Sequence, residues 1–213
     1  MGLYLTLSSG NTAGHRECIP PAAAGQPQKG AYMMSKLNDF MKILTGHFNN
    51  KAQYDAKAGE NFPYAEHVNT ACNDKITGLP ADFAGVFMVE ESYFTSNGNT
   101  HAAPHLFLFT EEEDGVRLTS YDLPAGYDKD SFTYENMKPV AYADLKPSAK
   151  FTPALYREKD GVWEGGSVSM FSPVLKFTLF ERFSADVLEV SESMEVNGKR
   201  TFGYDEPILY KRA

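Results

Sequence analysis

Three short segments between residues 113 and 199 carry the residue pattern of tight β-turns. They are Glu113-Asp114-Gly115, Lys159-Asp160-Gly161 and Val196-Asn197-Gly198-Lys199. Glycine and asparagine tolerate the positive φ angles that two-residue and bulged hairpins require. Each turn separates two short segments rich in aromatic and β-branched residues, which is the composition of strands. The chain is therefore predicted to run as a series of antiparallel hairpins.

Strand-like segments follow one another from residue 83 to residue 211. We predict strands near 83–93, 104–110, 115–122, 150–157, 162–170, 174–182, 186–196 and 201–211, with a short one near 139–142. An open sheet of this size would expose two edges, whereas closure into a barrel removes both. The predicted fold is mainly β, an antiparallel meander that closes into a barrel of about 8–10 strands. A barrel of that size either holds one small ligand or is filled by its own side chains.

One amphipathic helix is predicted ahead of the strands. Leu37, Phe40, Met41 and Leu44 occupy the i, i+3, i+4 and i+7 positions of a single helical face. Gly46 follows where a helix commonly ends with a residue at positive φ. We expect this helix to cover one end or one flank of the barrel.

The first 32 residues mix Gly, Ala, Pro, Ser and Gln without periodicity. Such a composition buries too little apolar area to offset the entropy of ordering, so we predict a disordered tail over residues 1–33. Residues 34–213 are predicted to form a single β-barrel domain, because nothing after residue 80 has the composition of a linker. Lys29-Gly30-Ala31-Tyr32 can be back-translated as a bacterial ribosome-binding sequence ahead of Met33 and Met34. Two hypotheses stay open, a genuine tail or a start of translation at one of these methionines.

Charge and cysteine content narrow the class of protein. The net charge is −8, and without a basic stripe the chain is not expected to bind nucleic acid. The sequence contains no apolar run long enough to span a membrane and no secretory signal pattern, so no membrane association is predicted. Its two cysteines, Cys18 and Cys72, do not make a disulfide framework. We predict a cytoplasmic protein, or one of the plastid stroma if the source is a eukaryote.

Patterns of catalysis and metal binding are weak in this sequence. His101 and His105 are four residues apart, but Pro104 between them argues against a helical ligand pair. The sequence has no Gly-x-Ser-x-Gly elbow, and no histidine can be assigned to Cys72 from sequence. We therefore predict no catalytic residue, no metal site and no resident cofactor.

A short run after the helix points to a family. Gly46-His47-Phe48-Asn49-Asn50-Lys51-Ala52-Gln53 has the form Gly-x-Phe-x-Asn-x-x-Gln, and the later strand Val86-Phe87-Met88-Val89-Glu90-Glu91 carries a Val-Glu pair. Together with the paired strands at 106–109 and 116–121, these segments resemble the CpeT/CpcT family of phycobiliprotein lyases. The chain departs from the family pattern at Glu90-Glu91, where the family has Glu-Gln, and at His105-Leu106, where the family has Tyr-Arg.

The resemblance implies a lipocalin-like calycin barrel, and a function. The family binds a linear tetrapyrrole bilin and passes it to a cysteine of a phycobiliprotein β-subunit, so the bilin is a transferred ligand. The resemblance also suggests a homodimer. A bilin site needs aromatic walls, a carboxylate near the pyrrole nitrogens and Arg or Lys near the propionates. The ligand-binding residues expected on this basis are Glu90 as the carboxylate, Tyr93, Phe107, Tyr121, Tyr156 and Trp163 as walls, and Arg117 and Arg157 as propionate contacts.

Two further hypotheses remain at this level. The barrel is a non-enzymatic, lipocalin-like binder of another small hydrophobic ligand, or it has a filled interior and acts as an interaction module. The departure at His105-Leu106 favours the hypothesis of a filled interior. Leu106-Phe107-Leu108-Phe109 is apolar on both faces, so sequence does not decide which side chains point inward.

Overall fold

The computed structural model describes residues 29–60 and 62–213. Within these ranges the protein has two α-helices, α1 (Lys29–Leu44) and α2 (Lys51–Ala56). Its strands are β1 (Gly46–Asn49), β2 (Tyr64–Ala71), β3 (Ile76–Thr77), β4 (Val86–Ser96), β5 (Asn99–Ala102), β6 (His105–Glu112), β7 (Gly115–Tyr121), β8 (Val140–Ala141), β9 (Ala154–Lys159), β10 (Val162–Met170), β11 (Leu175–Phe183), β12 (Leu188–Val196), β13 (Lys199–Gly203) and β14 (Ile208–Arg212). Residues 1–28 of the predicted tail lie outside the described residues, and α1 begins within its last five positions.

Ten antiparallel strands form a closed barrel. Their order around the ring is β1, β2, β4, β6, β7, β9, β10, β11, β12 and β14, and β14 pairs with β1 to complete it. Two further strands lengthen hairpins, since β5 pairs with β4 and β13 pairs with β12. A separate parallel pair, β3 with β8, lies outside the ring. The predicted mainly β fold, with about 8–10 strands and an N-terminal helix, is confirmed.

Tight turns join several of these strands as predicted. Asp160 and Gly161 have φ angles of 54° and 80°, and Asn197 and Gly198 have φ angles of 50° and 76°. These positive values match the twist of the strands that each turn connects, which explains the Asp-Gly and Asn-Gly pairs. The β6–β7 turn passes through Glu113 and Asp114, with Glu112 paired to Gly115.

Several strands differ from the predictions, since β1 and β5 were not predicted and β4 and β9 begin three and four residues later than expected. Two further differences have a clear physical cause. The single strand predicted at 201–211 is two strands, β13 and β14. Gly203 has a φ of 110°, and Pro207 has no N–H to contribute to a ladder, so pairing is interrupted between them. The second difference is β2, which extends over eight residues although its sequence is polar. Its inward-facing side chains include His67 and Asn69, so the usual apolar alternation is absent.

Helix α1 closes one end of the barrel. Its predicted apolar face is buried, and Phe40 lies with its ring centroid 5.0 Å from that of Trp163 and 5.2 Å from that of Tyr156. The Leu37 N–H donates to Glu111 Oε2 at 3.1 Å, which ties the helix to β6. These contacts place the helix against the interior side chains at the end where β6 turns into β7.

The run after α1 builds this closure. Gly46 has a φ of 139° and lies under the Arg212 side chain, which leaves no room for a Cβ atom. Arg212 donates to the carbonyls of Lys42 and Thr45 at 2.8 and 2.9 Å, satisfying acceptors that the helix end leaves free. Its guanidinium group also lies 4.8 Å from the centroid of the Phe48 ring.

Two amides in the same run connect distant backbone segments. Asn50 is buried, donates to Pro63 O at 3.0 Å and accepts the Ala65 N–H at 2.9 Å. Gln53 donates to Pro207 O and accepts the Leu209 N–H, both at 2.9 Å. The Gly-x-Phe-x-Asn-x-x-Gln pattern therefore joins α1, β1, β2 and β14, and its role in this chain is structural.

A second apolar cluster lies outside the ring. Leu106 and Leu108 point outward with Phe87 and Val89, and the segment after β7 covers them with Phe132, Met137 and Leu145. Phe107 and Phe109 point inward and belong to the main core. The outer cover explains why β6 is apolar on both faces.

Neither helix within the described ranges has both the length and the apolar character needed to cross a bilayer.

Candidate functional site

The barrel encloses a cavity of about 440 Å³. This volume lies within the range of roughly 300–1,000 Å³ that is typical of small-molecule sites. Leu44 of α1 contributes to its closed end. The exposed side chains among its lining residues, His101, Thr152 and Phe202, mark where it opens to solvent. The interior is therefore not filled by its own side chains, and the filled-barrel hypothesis is wrong.

Phenylalanine is the most frequent residue type in the cavity wall. The phenylalanines that line it are Phe94, Phe107, Phe109, Phe151, Phe171, Phe177, Phe183 and Phe202. Phe151, Phe171 and Phe177 pack against one another with ring centroids 5.1–5.9 Å apart. Two of these three rings are carried by the loops that precede β9 and follow β10. The wall is suited to a flat, hydrophobic ligand.

One side of the cavity carries a polar group built from β2, β4 and β6. The His67 Nε2 atom lies 3.0 Å from Ser92 Oγ, and its Nδ1 atom lies 3.4 Å from Glu90 Oε2. His105 is paired with Glu90 in the register of β4 and β6, and its ring lines the cavity. Glu90 and Ser92 are two residues apart on one strand, so both point inward.

Two more glutamates face this group from β11 and β12. Leu179 pairs with Glu192 and Glu181 pairs with Val190, so the two carboxyl groups are diagonal neighbours on the inner face. The Tyr156 hydroxyl donates a short hydrogen bond to Glu181 Oε2. The cavity therefore holds three carboxyl groups and three imidazoles, those of His67, His101 and His105, among its lining residues.

Burial sets the protonation of these groups. Burial raises the pKa of Glu181 to about 8. The charges of Glu90 and Glu192 add to this rise, and the hydrogen bond from Tyr156 opposes it. Burial likewise raises the pKa of Glu192 to about 7. Burial also acts to raise the pKa of Glu90, but the charge and hydrogen bond of His67, with the charge of His105, outweigh it and hold that pKa below its ordinary value.

The pKa of His105 is lowered, mainly by burial, although the Glu90 charge opposes the change. Near neutral pH the cavity thus presents an ionised Glu90 beside His67, an uncharged His105 and a protonated Glu181. Among its described lining residues it has no Lys or Arg. An anionic ligand group inside would meet carboxyl groups and no fixed positive charge, whereas an N–H donor or a cationic nitrogen would find acceptors.

No group of three or more His, Cys, Asp or Glu side chains in the described part of the chain is arranged to hold a metal ion.

Four of the eight predicted site residues point into the barrel. Glu90 and Phe107 line the cavity itself. Tyr156 and Trp163 lie between the cavity and α1, where both rings contact Phe40. All four side chains therefore lie on the inner face of the ring.

The other four predicted residues point away from the cavity. The Tyr93 hydroxyl donates to Glu91 Oε2 at 2.9 Å, and Tyr121 packs on Phe87 in the outer cluster. Arg117 binds Glu112 at 2.7 Å and Arg157 binds Asp114 at 2.7 Å, both as exposed ion pairs. Strand alternation explains the split, because residues at odd spacing from an inward side chain face outward.

Four cavity residues, His67, Ser92, Glu181 and Glu192, were not predicted from sequence. His67 lies on the polar strand β2, where the sequence indicates a loop with one possible short strand around residues 67–69. Two of the other three carried a usable signal. Ser92 follows Glu90 at the spacing of one strand face, and Glu181 interrupts the alternating apolar series Phe177, Leu179 and Phe183.

Architecture and cavity together define a class of protein. A closed antiparallel barrel with a helix at one end and an internal cavity is consistent with a calycin or lipocalin-like fold. Comparison of the sequence with family models, with curated proteins and with solved structures finds no match.

Proposed function

We propose that this protein binds one small, flat, hydrophobic ligand inside the barrel, through N–H donors or a cationic nitrogen on the ligand. The observation that carries the proposal is a layer of three carboxyl groups within an aromatic cavity of about 440 Å³. Aromatic walls remove apolar ligand surface from water, while a few polar groups in a largely apolar pocket set orientation and specificity.

A linear tetrapyrrole bilin is the specific ligand that the CpeT/CpcT resemblance suggests. Its pyrrole nitrogens suit Glu90 and Glu192 as acceptors. Arg117 and Arg157 face outward in exposed ion pairs, so the propionates of a bilin would be directed to the open end of the cavity. This orientation keeps the anionic groups in water and the conjugated system among the phenylalanines.

Delivery of the bilin to a cysteine of a phycobiliprotein β-subunit is the activity that follows from the same resemblance. The acceptor thiol belongs to the partner protein in such a transfer. Cys72 is buried in the outer cluster, and burial raises the pKa of its thiol to about 12. Its thiol is therefore unsuited to carry the chromophore during transfer.

A non-enzymatic binder of another ligand is the second candidate. The observation in its favour is that the described lining residues include no Lys or Arg. A ligand without carboxylates, such as a neutral aromatic amine, satisfies the cavity without directing charged groups outward.

The first experiment is a titration of the protein with biliverdin and with biliverdin dimethyl ester, followed by absorption spectroscopy. We expect a saturable, red-shifted and sharpened band at one ligand per chain, with the ester bound at least as tightly as the acid. Glu192→Gln should weaken binding about 10-fold, because it removes a charge-assisted acceptor. Glu189→Gln, on the outer face of β12, is the matched control and should bind normally.

If neither bilin changes its absorption spectrum, a bilin is rejected as the ligand of this cavity. The neutral dye N-phenyl-1-naphthylamine then tests the second candidate by its fluorescence. A cavity that takes neither bilin nor dye would reject the binding function itself.

A further inference from the structure

Three side chains on the cavity wall are arranged like a nucleophilic triad. Ser92 Oγ lies 3.0 Å from His67 Nε2, and Glu90 Oε2 lies 3.4 Å from His67 Nδ1. His67 on β2 pairs directly with Ser92 on β4, and Glu90 precedes Ser92 by one inward-facing position. All three residues line the cavity, so a bound molecule would meet them.

The geometry gives each residue a distinct role. When the Glu90 carboxylate accepts the Nδ1–H of His67, the Nε2 lone pair is left to accept the Ser92 O–H. A base oriented in this way is what activates a serine hydroxyl. The Glu90 contact is longer than a normal hydrogen bond, as such contacts often are in sites without substrate. The lowered pKa of Glu90 keeps it ionised, as the role requires.

We propose that Ser92, His67 and Glu90 form an acyl-transfer site that hydrolyses a neutral ester of a hydrophobic molecule held in the barrel. Ser92 Oγ bonds to the ester carbonyl carbon while its proton passes to His67 Nε2. The carbon–oxygen bond to the alcohol then breaks, and the alcohol leaves with the proton from His67. Water, deprotonated by His67, then bonds to the acyl carbon. The bond between that carbon and Ser92 Oγ breaks, the acid leaves, and His67 returns the proton to Ser92 Oγ.

His105 completes the site on the same wall. It lies beside Glu90 in the β4–β6 register, and its uncharged ring offers an N–H donor to the oxygen that becomes negative during attack. Glu90 acts through His67 and is a positioning residue. Because three carboxyl groups line the cavity and the described lining has no Lys or Arg, an anionic ester is disfavoured, and we take a neutral ester as the substrate to be tested.

The test is covalent labelling of the full chain with phenylmethylsulfonyl fluoride, a small aromatic sulfonylating reagent that releases fluoride. Peptide mass spectrometry should find the sulfonyl group on Ser92. Ser92→Ala should abolish the adduct, whereas Ser191→Ala on the outer face of β12 should leave it intact. His67→Gln, which keeps a hydrogen-bonding side chain but no base, should slow labelling at least about 100-fold.

A second measurement follows hydrolysis of p-nitrophenyl butyrate. Wild type should exceed Ser92→Ala, and Glu90→Gln should lose most of this rate while its thermal unfolding stays cooperative. No adduct on Ser92, or labelling that His67→Gln leaves unchanged, would overturn the proposal. Ligand binding measured with bilins does not depend on these outcomes, so the proposed binding function and this activity can fail separately.

Discussion

Two carboxyl groups that face the interior of this barrel have raised pKa values. Glu189 points outward and contacts Arg182 at 3.6 Å, whereas Glu192, three residues later, points into the cavity. Burial raises the pKa of Glu192 to about 7 and that of Glu181 to about 8. These two groups therefore hold protons near pH 6 that the unfolded chain has released.

The contribution of Glu181 and Glu192 to stability should fall as pH rises from about 5 to 8. The pKa values of Glu181 and Glu192 are raised in the folded state, so their contribution is full below the ordinary value of 4.5 and is lost as pH passes about 7 and about 8. Glu192→Gln should remove part of this slope and raise the free energy of unfolding at pH 9 by up to about 3 kcal/mol. Urea unfolding at pH 5, 7 and 9 measures the effect. An equal flattening in Glu189→Gln would contradict the explanation.

Asn50 should be among the most sensitive polar residues in the chain. Its side chain is 1 % exposed and binds the backbone at both Pro63 and Ala65. Asn50→Ala leaves a buried carbonyl and a buried N–H without partners, which should cost about 2–4 kcal/mol. Chemical denaturation measures the loss, with exposed Asn38→Ala as the control. A cost below that of the control would show that water replaces the amide.

Among the secondary structure elements, α1 has the largest effect on the site, because it closes the cavity. Phe40 is fully buried and packs against Tyr156, Trp163 and Phe109 at ring-centroid distances of 5.0–5.5 Å. The helix thus packs against side chains of β6, β9 and β10, which lie in one run of neighbouring strands.

Removal of the Phe40 ring should loosen this end of the barrel. Phe40→Ala is expected to lower the free energy of unfolding by about 3–5 kcal/mol through lost burial and the space left behind. Asp39→Ala, one residue away on the exposed face, should change it by less than about 1 kcal/mol. Thermal unfolding compares the two. Similar melting temperatures would mean that α1 does not anchor the fold.

Elements with apolar alternation or clear turns could be predicted from sequence, and polar ones could not. β10, β11 and β12 differ from their predicted ranges by two residues at most. An Asp-Gly turn precedes β10 and an Asn-Gly turn follows β12, while β11 has the apolar alternation of Phe177, Leu179 and Phe183. β2 was predicted only as a possible short strand around residues 67–69, because its inner face carries His67 and Asn69 in place of apolar side chains. The same polarity that hides this strand makes it part of the site.

The site was only half predictable for a related reason. Glu90 and Phe107 were expected as site residues from the resemblance to a bilin-binding family, and both line the cavity. Arg117 and Arg157 were expected inside, but strand parity depends on register, and β6 is apolar on both faces. Only the outer cluster over Leu106 and Leu108 decides which face is interior, and that cover is a long-range contact.

At the scale of the whole molecule, the ring is closed by β14, which pairs with β1 on one side and β12 on the other. Ile208 and Tyr210 of this strand are buried in the main core, and Arg212 binds the end of α1. The two ends of the barrel sequence are therefore held side by side. The cavity is therefore enclosed only when β14 is paired with both β1 and β12.

Deletion of residues 208–213 should open the barrel. The edges of β1 and β12 would be left unpaired, which favours aggregation, and the core would lose Ile208 and Tyr210. We expect loss of a cooperative thermal transition and of a monodisperse elution profile. Removal of Ala213 alone, whose N–H donates to His47 O at 3.0 Å, should cost about 1 kcal/mol. A folded, ligand-binding Δ208–213 variant would refute closure by β14.

The position of β14 also has a consequence for synthesis on the ribosome. Nine of the ten barrel strands are translated before the one that completes the ring. Until residue 212 has emerged, the nascent chain carries two unpaired sheet edges and an uncovered phenylalanine-rich interior. Closure of this barrel therefore waits until β14 has left the ribosome, and the interval before then is when the chain most needs protection by chaperones.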